Sequence, residues 1–150
     1  MKTDKQIVLI ADDDVDDRLL IEKAFRKGMP HAQFFYVENG MELMNYLQRK
    51  ERYHDAVMYP FPNLIILDLN MPKKDGREAL KEIKSSNVFA GIPVIIFTTS
   101  QAPDDLVFSY QSGSNSYIVK PSSFEELINI GIELEKYWFK TVLLPSYLIK

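Results

Sequence analysis

The segment LIILDLNMPKKDG, residues 64–76, decides the fold. Its first four residues are apolar without polar alternation, which is typical of a short strand buried on both faces of a parallel sheet. An acid, Asp68, follows the strand directly, and the Asp-Gly pair at its end is a turn signal. A buried strand that ends on an acid and a turn indicates an α/β protein with chemistry at a strand end.

The same pattern recurs along the chain. Other short apolar runs are found at residues 7–11, 34–37, 94–97 and 117–119. Between the runs, and after the last one, apolar residues recur at the spacing of amphipathic helices. Five strands alternating with five helices predict a single α/β domain, with right-handed crossovers and helices on both faces of the sheet. Residues 52–63 interrupt this alternation, and we expect a long loop there.

Bulk composition narrows the class of protein. The chain has 150 residues, of which 46% are hydrophobic and 26% charged, as in an ordinary soluble domain. A net charge of −3 provides no general attraction to DNA or anionic membranes, and the absence of cysteine excludes thiol chemistry. No segment has the pattern of a secretory signal or a membrane span. We therefore expect a cytoplasmic protein with no DNA and no membrane as partner.

Polar side chains follow four of the apolar runs, at the point where each run ends: Asp12 and Asp13, Asp68, Thr98, and Lys120. Because the carboxyl ends of parallel strands meet at one edge of a sheet, we expect these side chains to share one site. Carboxylates 4 Å apart repel each other by roughly 4 kcal/mol per pair, so a cation must offset this repulsion. An all-oxygen cluster suits Mg²⁺, and together with Lys120 it predicts a phosphoryl-transfer site with Asp68 as nucleophile.

Four motifs carry a resemblance to a known family: LIADDD (9–14), LDLNMPKKDG (67–76), FTTS (97–100) and YIVKP (117–121). In this order and spacing, the chain resembles the receiver domains of two-component response regulators, of the chemotaxis-regulator type. The resemblance implies a doubly wound (βα)5 fold, a three-layer sandwich with the flavodoxin-like strand order 2-1-3-4-5. It covers a core of about residues 5–138 in a single domain spanning 1–150, with residues 139–150 as a C-terminal extension.

The resemblance also implies roles for the acidic residues. Asp68 would be the phosphoacceptor. Asp13 would bind Mg²⁺ directly, Asp12 would act mainly through a bound water, and Asn70 would contribute its backbone carbonyl. A histidine kinase or a phosphotransfer protein would be the phosphoryl donor, so the module would signal through protein–protein contacts.

Further roles follow for the residues on the last two strands. Thr98 and Lys120 would bind phosphoryl oxygens, and Tyr117 would turn inward when Thr98 moves toward the phosphate. The peptide bond between Lys120 and Pro121 would be cis, a geometry that is uncommon even before proline.

A narrower resemblance concerns the class of the partner. The loop before β-strand residues 64–67, together with YWFKTVLLP (137–145), is similar to small single-domain regulators associated with phytochrome-type histidine kinases. We therefore expect a kinase of that type as partner.

The last helix has more apolar residues than one core-facing stripe needs; the surplus is Ile130, Ile132, Tyr137 and Phe139. Two explanations remain open at this stage. Residues 142–144 could fold back and cover the surplus, or the surplus could form a partner surface or a homodimer interface together with the C-terminal extension.

A second function class is a phosphatase of the haloacid-dehalogenase type, which also uses a strand-end aspartate, Mg²⁺, a hydroxyl and a lysine. Such enzymes need a second acid two residues after the nucleophile for acid–base catalysis. Here that residue is Asn70, which cannot exchange a proton near neutral pH, so the receiver interpretation is favoured.

Among the remaining acids and bases, Asp14 or Asp16 is expected to cap a helix, and Asp17 and Arg18 to form a solvated helix face.

Overall fold

Five parallel strands form the central sheet, in the order β2-β1-β3-β4-β5. The computed structural model describes residues 5–145. The strands are β1 (Gln6–Ala11), β2 (Ala32–Val37), β3 (Leu64–Leu67), β4 (Val94–Thr98) and β5 (Ser116–Val119). The helices are α1 (Val15–Gly28), α2 (Gly40–Gln48), α3 (Gly76–Ser85), α4 (Pro103–Gln111) and α5 (Phe124–Lys136), with a 3₁₀ turn at Glu51–His54 and a π-helical turn at Tyr137–Thr141. The predicted fold class and strand order are confirmed.

The register of the sheet brings the strand ends level with one another. Ala11 pairs with Leu67, and Leu67 pairs with Ile96 two residues before the end of β4. Beyond the strands, the Asp68 N–H donates to the Ala11 carbonyl at 3.0 Å, and the Lys120 N–H donates to the Thr98 carbonyl at 2.8 Å. These bonds extend the ladder into the polar residues, so the residues after β1, β3, β4 and β5 lie along one edge.

Side chains from the sheet fill two separate cores, because successive residues of a strand point to opposite faces. Leu9 faces the core covered by α2 and α3, whereas Val8 and Ile10 face the core covered by α1 and α5. The central strands β1, β3 and β4 are buried on both sides, which explains their unbroken apolar runs.

Helices α1 and α5 approach each other closely at two glycines. A Cβ atom placed on Gly28 would lie 2.6 Å from the backbone nitrogen of Ile132 and 2.8 Å from the carbonyl oxygen of Ile128. A Cβ atom on Gly131 would lie 3.1 Å from the Phe25 ring. The backbones can therefore touch only because a side chain is missing at Gly28.

The predicted long loop before β3 is anchored by aromatic rings. It begins with the 3₁₀ turn, where Tyr53 is buried, and the rings of Tyr46 and Tyr59 lie 5.1 and 4.9 Å from that of Tyr53. The Tyr46 hydroxyl also donates to the Pro60 carbonyl at 2.8 Å. The loop thus extends the core on the α2 side.

Helix α4 is packed against the sheet more loosely than the other four helices. Its only buried residue is Ser109, while Leu106, Val107 and Tyr110 are 42%, 51% and 50% exposed. Ala102, at the N-cap, makes no side-chain hydrogen bond to the first turn. Apolar burial therefore contributes little to the position of this helix.

The structure divides the surplus apolar residues of the last helix into two pairs. Ile130 and Phe139 are half-buried against the core of α1 and α5, whereas Ile132 and Tyr137 are 48% and 51% exposed. Leu143 is itself 85% exposed, so the tail does not fold back as a cover through this residue. Residues 146–150 of the predicted C-terminal extension lie outside the described residues.

Between residues 5 and 145, none of the helices is both long enough and apolar enough to span a membrane.

Candidate functional site

Three carboxylates meet at the carboxyl edge of the sheet. Asp12, Asp13 and Asp68 each offer an oxygen, and these oxygens all lie within 4.8 Å of one another. Asp12 and Asp68 are buried, and Asp13 is exposed. The Asp14 N–H donates to Asp12 Oδ1 at 2.9 Å, which fixes one oxygen of the buried carboxylate where β1 leads into α1. The predicted convergence of these acids is therefore present.

Lys120 supplies the cation of the cluster. Its Nζ lies 2.7 Å from Asp12 Oδ2, and 3.0 Å from both Asp68 Oδ2 and Asp17 Oδ2. Burial lowers the pKa of a lysine, but the hydrogen bond and charge of Asp12, with the charge of Asp68, outweigh it and raise the pKa of Lys120. The ammonium group is therefore charged throughout the physiological range.

One lysine does not fully offset the carboxylates. Burial raises the pKa of Asp12, and the hydrogen bond from Lys120 opposes the shift without cancelling it. A second cation near the carboxylates would stabilise the charged form of Asp12. Three hard oxygen donors with no nitrogen or sulfur among them fit a divalent metal of the Mg²⁺ or Mn²⁺ kind.

Asn70 lies in the loop that connects β3 with α3. Its backbone N–H donates to Asp68 Oδ1 at 3.3 Å, so this loop orients the carboxylate of Asp68. Gly76 lets the loop return close to the strand, because a Cβ atom there would lie 2.1 Å from the Asp68 carbonyl oxygen. The turn predicted from the Asp-Gly pair at residues 75–76 agrees with this close approach.

Thr98, Ser100 and Tyr117 are linked to one another. Thr98 is fully buried, and its Oγ1 accepts from the Ser100 N–H at 3.3 Å. The Tyr117 hydroxyl donates to the Ser100 carbonyl at 2.9 Å, while its ring is half-buried against the core of α2 and α3. A displacement of Thr98 would therefore move the backbone of Ser100 and, with it, the hydrogen-bond acceptor of the Tyr117 hydroxyl.

The prediction of a cis peptide between Lys120 and Pro121 is wrong: the described residues contain no cis peptide bond. For a bond to proline the trans form is favoured by about 0.5–1 kcal/mol, and the bond before Pro121 has that form. With the trans bond, Lys120 already reaches all three of its carboxylate partners.

The interpretation of Asp17 and Arg18 as a solvated helix face is also wrong. Asp17 is the third partner of Lys120, and Arg18 Nη1 donates to the Asp12 carbonyl at 2.7 Å. Because α1 begins at Val15, beside the acid cluster, its first turn lies over the site. Asp14 is the N-cap, as expected, and accepts from the N–H groups of Asp16 and Asp17.

Comparison with known families supports the class that the fold and the site define. The model of the response regulator receiver domain matches residues 8–131. The chain belongs to this family and has a role in two-component phosphorelay signalling.

Individual relatives narrow the family further. The response regulator Rcp1 of Synechocystis sp. is 38% identical over 94% of this chain and 94% of that protein. The structure of a phosphorylated cyanobacterial phytochrome response regulator, RcpA, superposes with a TM-score of 0.87 at 38% identity, covering 95% of this chain and all of that one. The Mn²⁺-bound form of Rcp1 superposes with a TM-score of 0.82 at 35% identity, covering 93% and 99%. One of these relatives, RcpA, is thus a cyanobacterial phytochrome response regulator.

The alternative of a haloacid-dehalogenase type phosphatase finds no support in these comparisons. Both the matched family and the structures above are receiver domains. The amide at Asn70, where such an enzyme needs an acid, agrees with this result.

Proposed function

We propose that Asp68 is the phosphoacceptor of this response regulator and that Mg²⁺ is the metal it uses. The observation that carries the proposal is the position of Lys120, whose Nζ bridges Asp12 and Asp68 inside a cluster of three acids. Asp13 and Asp68 would hold the metal directly, Asp12 through a water, and the backbone carbonyl of Asn70 would complete the protein ligands. When bound, Mg²⁺ supplies charge that offsets the phosphoryl oxygens and the carboxylates.

The chemistry is an in-line transfer from a phosphohistidine of the kinase. A carboxylate oxygen of Asp68 attacks phosphorus, the phosphorus–nitrogen bond breaks, and the released imidazole takes a proton from solvent. Lys120 pairs with one phosphoryl oxygen, and the Thr98 hydroxyl donates to another. The chain thus acts as a phosphoacceptor that catalyses only its own phosphorylation and its slow dephosphorylation.

The conformational signal begins at Thr98. When its hydroxyl is drawn to the phosphoryl group, its bond from the Ser100 N–H is lost, and the backbone that holds the Tyr117 hydroxyl moves. Tyr117 then turns inward into the space that Thr98 leaves. A phosphoryl group carries nearly two negative charges, so it strongly favours the conformation in which Thr98 has moved to the phosphate and Tyr117 has turned inward.

The partner that fits best is a histidine kinase of phytochrome type, or a phosphotransfer protein. Support comes from the similarity to RcpA over nearly the whole of both chains. We further propose that residues 1–150 form a single receiver domain with a core of about 5–138, and that two copies associate through α5 and the extension from residue 139. The exposed Ile132 and Tyr137 favour this homodimer. The expected cytoplasmic location stays a prediction.

The test of the proposed function is incubation of the purified chain with Mg²⁺ and a small acyl phosphate, followed by intact mass measurement. We expect the wild type to gain one phosphoryl group and Asp68→Asn to gain none. Asp16→Asn is the matched control, because this exposed acid lies on the first turn of α1 outside the cluster, and it should be modified like the wild type. Modification of Asp68→Asn at the wild-type level would refute the assignment of the acceptor.

A further inference from the structure

An ion pair joins the first turns of α3 and α4. Arg77 Nε lies 2.9 Å from Asp105 Oδ1, and the Ser100 hydroxyl donates to Asp105 Oδ2 at 2.5 Å. Both carboxylate oxygens are thus engaged, and the side chains of Arg77 and Asp105 are only 30% and 16% exposed. We call these three residues the Arg77–Asp105–Ser100 clasp.

The clasp connects the two loops that border Asp68. On one side, Arg77 Nη1 lies 3.5 Å from Asn70 Oδ1, and the Asn70 N–H donates to Asp68 Oδ1. On the other side, the Ser100 N–H donates to Thr98 Oγ1. A change in the ion pair would therefore be transmitted to side chains on both sides of the acceptor.

Helix α4 has few buried contacts with the sheet, so the clasp contributes more to its position than an ion pair usually does. Because Ser109 is the only buried residue of that helix, little apolar surface holds it on the sheet. The hydroxyls of Ser109 and Ser114, which are buried near its C-terminal half, make no hydrogen bond within the described chain. The hydrogen bonds from Arg77 and Ser100 lower the pKa of Asp105, so the ion pair persists at neutral pH.

We propose that Arg77 and Asp105 are positioning residues that set the lifetime of phospho-Asp68, an inference that rests on the proposed function. Hydrolysis requires a water to attack phosphorus; the bond between phosphorus and the Asp68 oxygen breaks, and inorganic phosphate, the free carboxylate and a proton are released. The clasp holds the Ser100 Oγ beside Asp105, where it also accepts from the Ala102 N–H at 3.3 Å, and it restrains the Asn70 amide. Opening the clasp frees both groups to orient water.

The experiment measures phosphoryl uptake from a small acyl phosphate with Mg²⁺, and then decay after removal of the donor, both by intact mass. We expect Arg77→Gln and Asp105→Asn each to shorten the lifetime by about three- to tenfold, the scale of one typical net hydrogen bond. The double variant should decay no faster than either single variant, because both changes open the same clasp. Arg77→Lys, which keeps the charge, should restore most of the wild-type lifetime.

The matched control is Glu82→Gln, which removes the ion pair between Glu82 of α3 and Lys74 of the preceding loop and leaves the clasp unchanged. Its lifetime should equal that of the wild type, and the uptake rate of all variants should stay within about twofold, since the clasp does not contact Lys120. A purely structural role would lower the urea midpoint of the variants and leave their decay unchanged, which would overturn the inference alone. A wild type that takes up no phosphoryl group would overturn the proposed function, and the inference with it.

Discussion

Lys120 shows what a single residue contributes to the site. It is the cation that the structure places within 3.0 Å of Asp12, Asp17 and Asp68, and its side chain is only 9% exposed. Removing one partner from a buried ion pair leaves the other charge uncompensated, which costs far more than the pair itself contributes. The stability of the metal-free protein should therefore depend on this lysine.

We expect Lys120→Gln to lower the free energy of unfolding by about 3 kcal/mol in a metal-free buffer, as for a broken buried ion pair. Added Mg²⁺ should stabilise the variant more than the wild type, because the metal replaces the missing positive charge. Urea denaturation with and without Mg²⁺ measures both effects.

Lys81→Gln serves as the control for this change. Lys81 is exposed on α3, so its loss should alter the stability by less than about 0.5 kcal/mol. If Lys120→Gln proved as stable as this control, the carboxylates would not need the lysine.

At the scale of elements, the contact between α1 and α5 supports the first turn of α1 that lies over the site. This contact depends on Gly28, whose missing side chain lets the two backbones meet. An added methyl group would meet backbone atoms of Ile132 and Ile128 at 2.6 and 2.8 Å, and backbone cannot rotate away as a side chain can. The two helices would have to separate.

We expect Gly28→Ala to lower the free energy of unfolding by about 2 kcal/mol, since overpacking outweighs the gain in helix propensity. Equilibrium urea denaturation measures this difference. Gly91→Ala is the matched control, because a Cβ atom there would meet only Pro145 Cγ at 3.8 Å, an ordinary contact, and its stability should be unchanged. Equal stability of the two variants would show that α1 and α5 can separate without cost.

At the scale of the whole molecule, the proposed homodimer concerns the surface of α5 beyond the core. Ile132 and Tyr137 remain exposed there after Ile130 and Phe139 have packed inward. A groove beside them is lined by apolar residues of β5 and the end of α5, among them Ile118, Leu134 and Trp138. A second copy would cover this surface.

We expect the wild type to elute as a dimer in size-exclusion chromatography with light scattering, and Tyr137→Glu to shift toward the monomer, because a charge would be buried in the interface. Met41→Glu is the control, as this residue is 50% exposed on α2, on the opposite face of the sheet, and should not change the mass. A monomeric wild type with and without phosphorylation would refute the homodimer.

The sequence by itself determined the fold class and most of the site. Unbroken apolar runs are visible without coordinates because a strand buried on both faces contains few polar residues. Since parallel strands end at one edge, the residues after those runs had to converge, and Asp12, Asp13, Asp68 and Lys120 do so.

Only the tertiary structure decided the contacts between side chains of distant elements. Asp17 and Asp105 have the pattern of exposed helix acids, and their partners Lys120 and Arg77 lie 103 and 28 residues away in the chain. The same holds for the trans bond before Pro121 and for the division of the surplus apolar residues of α5. Periodicity reports which face of an element is buried, but the partner on that face depends on how the elements are placed. For that reason the acid cluster was predictable, whereas the clasp beside it was not.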